Sequence, residues 1–413
     1  MSRPHVIIIG AGLGGLALAQ GLTRAGIGVT VHERDATAEF RNQGYRIRIN
    51  TDGIAALRAV LTPRAYDLFI ATAGMPGGRM DTYDHRLRLR QAHTLPEVPH
   101  APGGGHLAVN RRTLRQILLA GLEDRVRFGA EFTHSTTEPS GAVTAHFADG
   151  TSATGSVLVG ADGVGSAVRR QHFPRARVMD AGLRLLYGKV PIGTDAAGSA
   201  GSAGSAEILP EQLHGLWTTI VGPDRRFVGL APVHYREPLP QAASRIAPDI
   251  ALDADTDYLT CVVGARRELF PVPDTELFAL DGVALRTFAS TMTEGWHPLV
   301  RELLLRQDPA TIFPVTVRSS VPFAGWETGS VTLLGDAVHA MSPAIGVGAN
   351  TALRDAQVLA GRLSAAGGGR SLTEALHAYE TEMFDYGFHA VRDSAERGNE
   401  LVGQNPLPET ADA

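Results

Sequence analysis

The chain of 413 residues predicts a mixed α/β fold: a parallel sheet wound with helices, joined to an antiparallel sheet and closed by a C-terminal helical segment. Three observations carry this expectation. An apolar, β-branched run from His5 to Ile9 leads straight into Gly10-Ala11-Gly12-Leu13-Gly14-Gly15 and then into residues with helical spacing. Far downstream, a second apolar run from Ser330 to Leu334 leads into Gly335-Asp336 and another glycine-rich loop. Between about 181 and 290 the pattern changes to short runs such as LRLLYGKVPI, GLWTTIVG, RFVGLAPVHY and DYLTCVVG, whose spacing reads as a mostly antiparallel sheet.

Composition narrows the function before any motif is weighed. A hydrophobic content of 44% with 20% charged residues suits an ordinary globular chain, and a net charge of −5 spread along the sequence implies neither nucleic acid nor an acidic membrane surface. No apolar run reaches the roughly 18 residues needed to span a bilayer, and the glycines in the apolar start fit a phosphate-binding turn better than a secretory signal. Cys261 is the only cysteine, which excludes an intrachain disulfide and any metal site built on several thiolates. A cytoplasmic protein without a metal centre is expected. Lys189 is the only lysine.

Gly10, Gly12 and Gly15 fit G-x-G-x-x-G, the Rossmann-type fingerprint. The first glycine permits a tight turn, the second lets backbone approach a pyrophosphate, and the third lets helix pack on strand. The helix that follows from Leu16 offers unpaired N–H groups and a partial positive charge to an anion. A second strand from Val29 to His32 ends at Glu33, roughly 20 residues past the glycines, where a carboxylate accepts hydrogen bonds from ribose hydroxyls. Arg34 follows, suited either to the phosphate of NADP or to lying along an adenosine. This stretch does not separate NAD, NADP and FAD.

The distal cluster separates them. A strand ending at Asp336 can place that carboxylate on a polyol hydroxyl, while Gly346, Gly348 and Asn350 form a loop and cap whose N–H groups face an anion ahead of a helix from Thr351 to Leu363. A ligand reaching both ends of the chain is longer than an ADP half. It carries a polyol and a group that becomes anionic, and FAD meets both requirements.

With these motifs in place, the chain resembles the FAD-dependent aromatic hydroxylases, the single-component flavoprotein monooxygenases of the para-hydroxybenzoate hydroxylase type. The Rossmann fingerprint, the stretch Val159-Gly160-Ala161-Asp162-Gly163 and GDAVHAMSPAIGVGANTALRDA match that family's three motifs in order. The resemblance implies that Asp162 serves both FAD and the nicotinamide nucleotide. It implies too that Arg111, opening R-x-x-L-x-x-x-L, holds the flavin or its phosphates. The implied reaction is reduction by NADH or NADPH, capture of O2 as a flavin C4a-hydroperoxide, and transfer of one oxygen atom to substrate. The flavin carries the chemistry, and no Ser/His/Asp triad competes for it. A flavin dehydrogenase without productive oxygen transfer and a non-catalytic nucleotide-binding protein are the alternatives. Flavin-dependent halogenases share the fingerprint, but their tryptophan motif is missing here.

The implied organisation is an FAD-binding domain over 1–180 with an inserted ribbon near 70–105, and a substrate-binding β-sheet domain over 181–305. A return to the FAD-binding domain follows over 306–370, then a C-terminal helix and tail over 371–413. Period-two alternation puts Arg46, Arg48 and Asn50 on one face of a strand that the resemblance sets near the flavin phosphates, so Arg48 is read as a cofactor residue and Arg46 as a substrate residue. Tyr187 stands where many relatives carry an arginine in W-R-G. Tyr187, Trp217, His234 and Pro343 are the further substrate candidates, and the apolar segment Ala340 to Val347 is expected to exclude water. His339 and Asp355 are read as local structural partners. The low-complexity stretch 195–206 reads as a surface loop or a lid. A planar, largely apolar aromatic, polyketide or alkaloid-like substrate suits an apolar sheet with few charges.

Overall fold

The computed structural model describes residues 4–38, 45–192, 213, 215–366 and 371–408; the stretch 195–206 lies outside them. The strands Val331–Leu333, Val157–Gly160, His5–Ile9, Gly28–Glu33 and Val126–Phe128 form, in that order, a wholly parallel sheet. The central strands are nearly continuous apolar runs because both faces are covered. The helices Leu13–Arg24 and Gly348–Ala366, each following a glycine-rich loop, supply much of that cover. A small antiparallel sheet of Phe132–Thr137, Val143–Phe147 and Ser152–Gly155 links the edge strand back to Val157–Gly160, a crossover that the sequence reading did not resolve.

The second sheet has seven strands, in the order Phe313–Ser320, Val178–Pro191, Tyr258–Arg266, Phe227–Val233, Trp217–Val221, Arg79–Asp84 and Leu89–Thr94. All neighbours are antiparallel except Trp217–Val221 and Arg79–Asp84, which run parallel. The structure differs here from the expected organisation in two respects. The ribbon near 70–105 does not join the parallel sheet: its strands complete the edge of this second sheet, where Trp217–Val221 would otherwise leave backbone donors and acceptors unpaired. At the opposite edge Phe313–Ser320 also belongs to this sheet, so the return to the parallel sheet begins only at Val331.

The second domain, expected as a mostly antiparallel sheet, also ends in helices, Asp274–Leu277, Gly282–Met292 and Pro298–Leu305. Their apolar faces, including Leu285, Met292 and Leu303, pack with Leu186, Leu230 and Cys261 and bury one side of the sheet. Alternation turns Leu185, Tyr187 and Val262 to the other side. The C-terminal helix Leu372–Val402, started by a capping box of Ser371 and Glu374, ties the two sheets together. Tyr379 donates to the carbonyl of Leu333 at 2.8 Å, and past the helix end Arg266 donates to the carbonyl of Gly403 at 2.7 Å. Among the described residues, no helix is long and apolar enough to cross a membrane.

Candidate cofactor and substrate site

One cavity of about 620 Å³ runs from the first glycine turn, past the Asp336 turn, to the face of the second sheet that the helices Gly282–Met292 and Pro298–Leu305 do not cover. At its near end the backbone is arranged by close contacts. Gly10 has φ +107°, and a Cβ there would lie 2.5 Å from the carbonyl oxygen of Ala161; a Cβ on Gly15 would lie 2.1 Å from that of Gly10. Gly12 is different, because a Cβ on it would meet nothing within 4 Å, so the turn presents bare backbone to the cavity. Glu33 is buried and spends its carboxylate on this turn, accepting from Ala11 N at 2.8 Å and Asp35 N at 3.0 Å. Arg34 is exposed at the cavity rim.

Two residues at this end escaped the sequence reading. Arg115 donates from Nε to the carbonyl of Ala11 at 3.0 Å and lines the cavity. Its signal was present, since it lies one helical turn beyond Arg111 in Arg111–Leu119 and so shares its face. His32 stacks on Phe147 with centroids 4.3 Å apart, and burial pushes its imidazole down to about 4, keeping it neutral.

At the distal turn, Gly335 has φ +61° and delivers Asp336 to the first position of the short helix Asp336–His339, facing the cavity. Across from it, burial lowers the Arg111 pKa, and the Asp336 carboxylate opposes that shift. Gly346, at φ +64°, and Gly348, which opens the helix Gly348–Ala366, line the same wall with Pro343. Asp162 accepts from Ala167 N at 2.6 Å and Val168 N at 3.3 Å; its other oxygen is buried at the cavity without a partner among the described residues, and burial raises its pKa.

Asn350 does not face the cavity. Its amide is consumed by the backbone, accepting from Asn50 N at 2.9 Å and donating to the carbonyls of Arg48 at 2.9 Å and Gly346 at 3.3 Å. It shapes the loop instead of touching a ligand, because a buried amide satisfies its own donors and acceptors first. His339 and Asp355, both fully buried, are bonded at 2.7 Å, and Asp355 also accepts from Gly335 N at 2.7 Å and Tyr386 OH at 2.6 Å. This pair holds the Asp336 turn from behind.

Of the substrate candidates, Arg46, Tyr187, Trp217 and Pro343 line the cavity, and His234 does not. His234 sits exposed past the end of Phe227–Val233, paired with Asp257 at 2.9 Å, because the strand ends before it can turn inward. Arg46 donates to the carbonyls of Pro232 at 3.2 Å and Leu216 at 2.8 Å, and burial lowers its pKa to about 10. Arg48 reaches the carbonyl of Ile345 at 3.5 Å. Tyr187 stacks on Phe313 with centroids 5.8 Å apart. Met80 and Thr260 complete this wall, and the sequence reading missed both because each lies in a strand that only the sheet order brings here.

The residues present fit a flavin dinucleotide. The turn at Gly12 leaves a cradle that a side chain would fill. The Nε atoms of Arg48 and Arg111 and one oxygen of Asp162 are buried polar atoms without partners among the described residues. Such atoms are costly unless a ligand satisfies them.

Comparisons with known proteins agree with that fit. The FAD binding domain family matches residues 3–180 and 282–394. The chain is 33% identical over 373 residues to a dual O-methyltransferase/FAD-dependent monooxygenase of Cercospora beticola, a match covering 87% of this chain and 42% of that protein. It spans about two fifths of the length of the first curated relatives it matches. It is 31% identical over 385 residues to an FAD-dependent urate hydroxylase of Klebsiella pneumoniae, covering 92% of this chain and 85% of that one. A Klebsiella pneumoniae protein solved with FAD and uric acid superposes with a TM-score of 0.75 at 27% identity, covering 97% and 89% of the two chains. The glycine turn and the Asp336 turn both fall inside the matched regions, and the chain belongs to the family of FAD-dependent monooxygenases and aromatic hydroxylases.

Proposed function

We propose that the chain is an FAD-dependent monooxygenase that uses NADH or NADPH and O2 to insert one oxygen atom into a planar aromatic, polyketide or alkaloid-like substrate. The observation that carries this reading is the continuity of one cavity from the Gly10–Gly15 turn, past Asp336, to Tyr187 and Trp217 of the second sheet. In balance, substrate, O2, NAD(P)H and a proton give the oxygenated product, water and NAD(P)+. Bound FAD supplies the two-electron acceptor and the activation of O2; the protein supplies position, electrostatics and dryness.

Individual residues have distinct tasks in this reading. The bare turn at Gly12 and the N-terminus of Leu13–Arg24 receive the pyrophosphate. Asp336 would accept from a hydroxyl of the ribityl chain, and Arg111 and Arg48 would supply positive charge to the cofactor. The N-terminus of Gly348–Ala366 would favour negative charge on a group bound beside it. Met341, Pro343 and Trp217 keep water from the reacting atoms. Relatives named for urate and for 3-amino-4-hydroxybenzoate support a small planar substrate.

Purified protein should be yellow with FAD bound one to one, and an aromatic substrate should stimulate NAD(P)H-driven O2 consumption. Mass analysis in labelled dioxygen should show one labelled oxygen in the product. A colourless protein that refuses FAD would sink the reading. Reduction of the flavin by NAD(P)H with no labelled product from any of a broad aromatic panel would favour the dehydrogenase instead.

A further inference from the structure

The wall of the cavity formed by the second sheet contains a buried hydroxyl without a partner among the described residues. Thr260 lies in Tyr258–Arg266 and is only 2% exposed, yet its Oγ1 makes no hydrogen bond among the described residues. Alternation explains where it points. Leu259, Cys261 and Val263 pack into the helix-covered core, which leaves Tyr258, Thr260 and Val262 on the opposite side, and Thr260 lines the cavity there. A threonine in this place has no structural advantage over valine. Its methyl could fill the same volume, whereas a buried hydroxyl without a partner carries a desolvation cost.

Arg46 reaches the same patch. Its Nε donates to the carbonyl of Pro232, the neighbour of Ala231, which pairs with Thr260 across the ladder. Its Nη2 donates to the carbonyl of Leu216, immediately before Trp217. Both acceptors are neutral carbonyls, and no carboxylate pairs with Arg46 among the described residues, so the guanidinium keeps donors for another acceptor. Trp217 is fixed beside it, its indole N–H donating to Thr219 Oγ1 at 2.9 Å. A guanidinium only donates, and a threonine hydroxyl both donates and accepts; an oxygen on a planar ring satisfies the two together.

We infer that Thr260, with Arg46, is a specificity-determining residue that binds a carbonyl or hydroxyl oxygen of the substrate at the sheet wall of the cavity. The inference rests on the reading of this cavity as the substrate site. It makes the substrate an oxygen-bearing planar molecule, not a bare hydrocarbon. It also gives the Thr260 hydroxyl a role in binding and none in folding.

The test uses the purified full chain, loaded with FAD and without NAD(P)H, titrated with 2-naphthol and its isostere 2-methylnaphthalene while tryptophan fluorescence is followed. The native protein should bind 2-naphthol tighter by roughly tenfold or more. T260V should weaken 2-naphthol by roughly three- to tenfold, leave 2-methylnaphthalene unchanged or tighter, and melt at the native temperature or above. T260S should restore the native preference. The inference is overturned if the native protein shows no preference or no measurable binding of 2-naphthol, or if T260V retains native affinity. It is overturned equally if T260V melts lower and loses both ligands alike, which is the signature of a structural role. Because no turnover is measured, a chain that binds both probes as expected but transfers no oxygen fails only the monooxygenase reading.

Discussion

The side-chain oxygen of Asn350 lies 2.9 Å from the backbone nitrogen of Asn50, a contact across 300 residues of chain. It joins the first turn of the helix Gly348–Ala366 to the residue that follows the strand Arg46–Ile49, which bears Arg46 and Arg48. The same amide donates to the carbonyl of Arg48 at 2.9 Å, so both sides of one cavity wall are held by a single buried side chain.

Replacement of Asn350 by alanine strands Asn50 N and the Arg48 carbonyl in the protein interior. N350A should lose about 2–3 kcal/mol of stability, from removal of hydrogen bonds whose partners stay buried. It should also release FAD more readily, because Arg48 is no longer fixed. Urea unfolding and the absorbance of retained flavin after gel filtration measure the two effects.

Gly12 and Gly15 should respond oppositely to an added methyl. At Gly15 the new Cβ would sit 2.1 Å from the Gly10 carbonyl, a backbone clash that should cost about 1–3 kcal/mol or prevent folding. At Gly12 the backbone is extended and the Cβ meets nothing within 4 Å. G12A should therefore fold within about 0.5 kcal/mol of the native apoprotein and still take up less FAD. Comparison of the apoproteins by thermal melting, followed by FAD titration, separates the two glycines.

The buried His339 and Asp355 pair gives stability a definite dependence on pH. The nearby Asp355 carboxylate raises the His339 pKa despite the opposing effect of burial. A histidine raised in the folded state contributes fully below its unfolded value of about 6.5, and the contribution disappears as pH rises through the folded value. Stability should accordingly fall over that window in the native protein and stay flatter in H339Q. D355N, which removes the charge facing His339 and leaves one acceptor oxygen for Gly335 N and Tyr386 OH, should cost about 3–5 kcal/mol. Denaturant melts at a series of pH values read both.

Cys261 should be silent chemically. It is fully buried beneath the helices that cover the second sheet, and burial pushes its thiol up to about 12. The thiolate is the reactive form, so a disulfide reagent should find no thiol in the native chain and one after denaturation. Reaction of the native protein at an ordinary cysteine rate would contradict this packing.

Legibility in the sequence followed the range of the interactions. The glycine turn, the strand before it, the helix after it and the terminal helix were all readable, because each rests on contacts within a few residues and on apolar periodicity. The edges of the second sheet were not. Nothing local in Arg79–Asp84 says that it will pair in parallel with Trp217–Val221, and nothing in Phe313–Ser320 says which sheet it joins. His234 and Trp217 looked alike as aromatic residues of strands, and only the end of Phe227–Val233 leaves the first outside the cavity.

The sequence by itself determined that this protein has a dinucleotide turn, a distal aspartate turn and an apolar sheet, because glycine conformations, strand periodicity and motif order are local properties of the chain. Tertiary structure alone decided which polar side chains face the cavity and which are consumed in holding it. Asn350 and Glu33 spend their oxygens on backbone donors, while Thr260 keeps its hydroxyl unspent among the described residues. That difference arises because the partner of a buried polar group is chosen by packing between segments far apart in the chain.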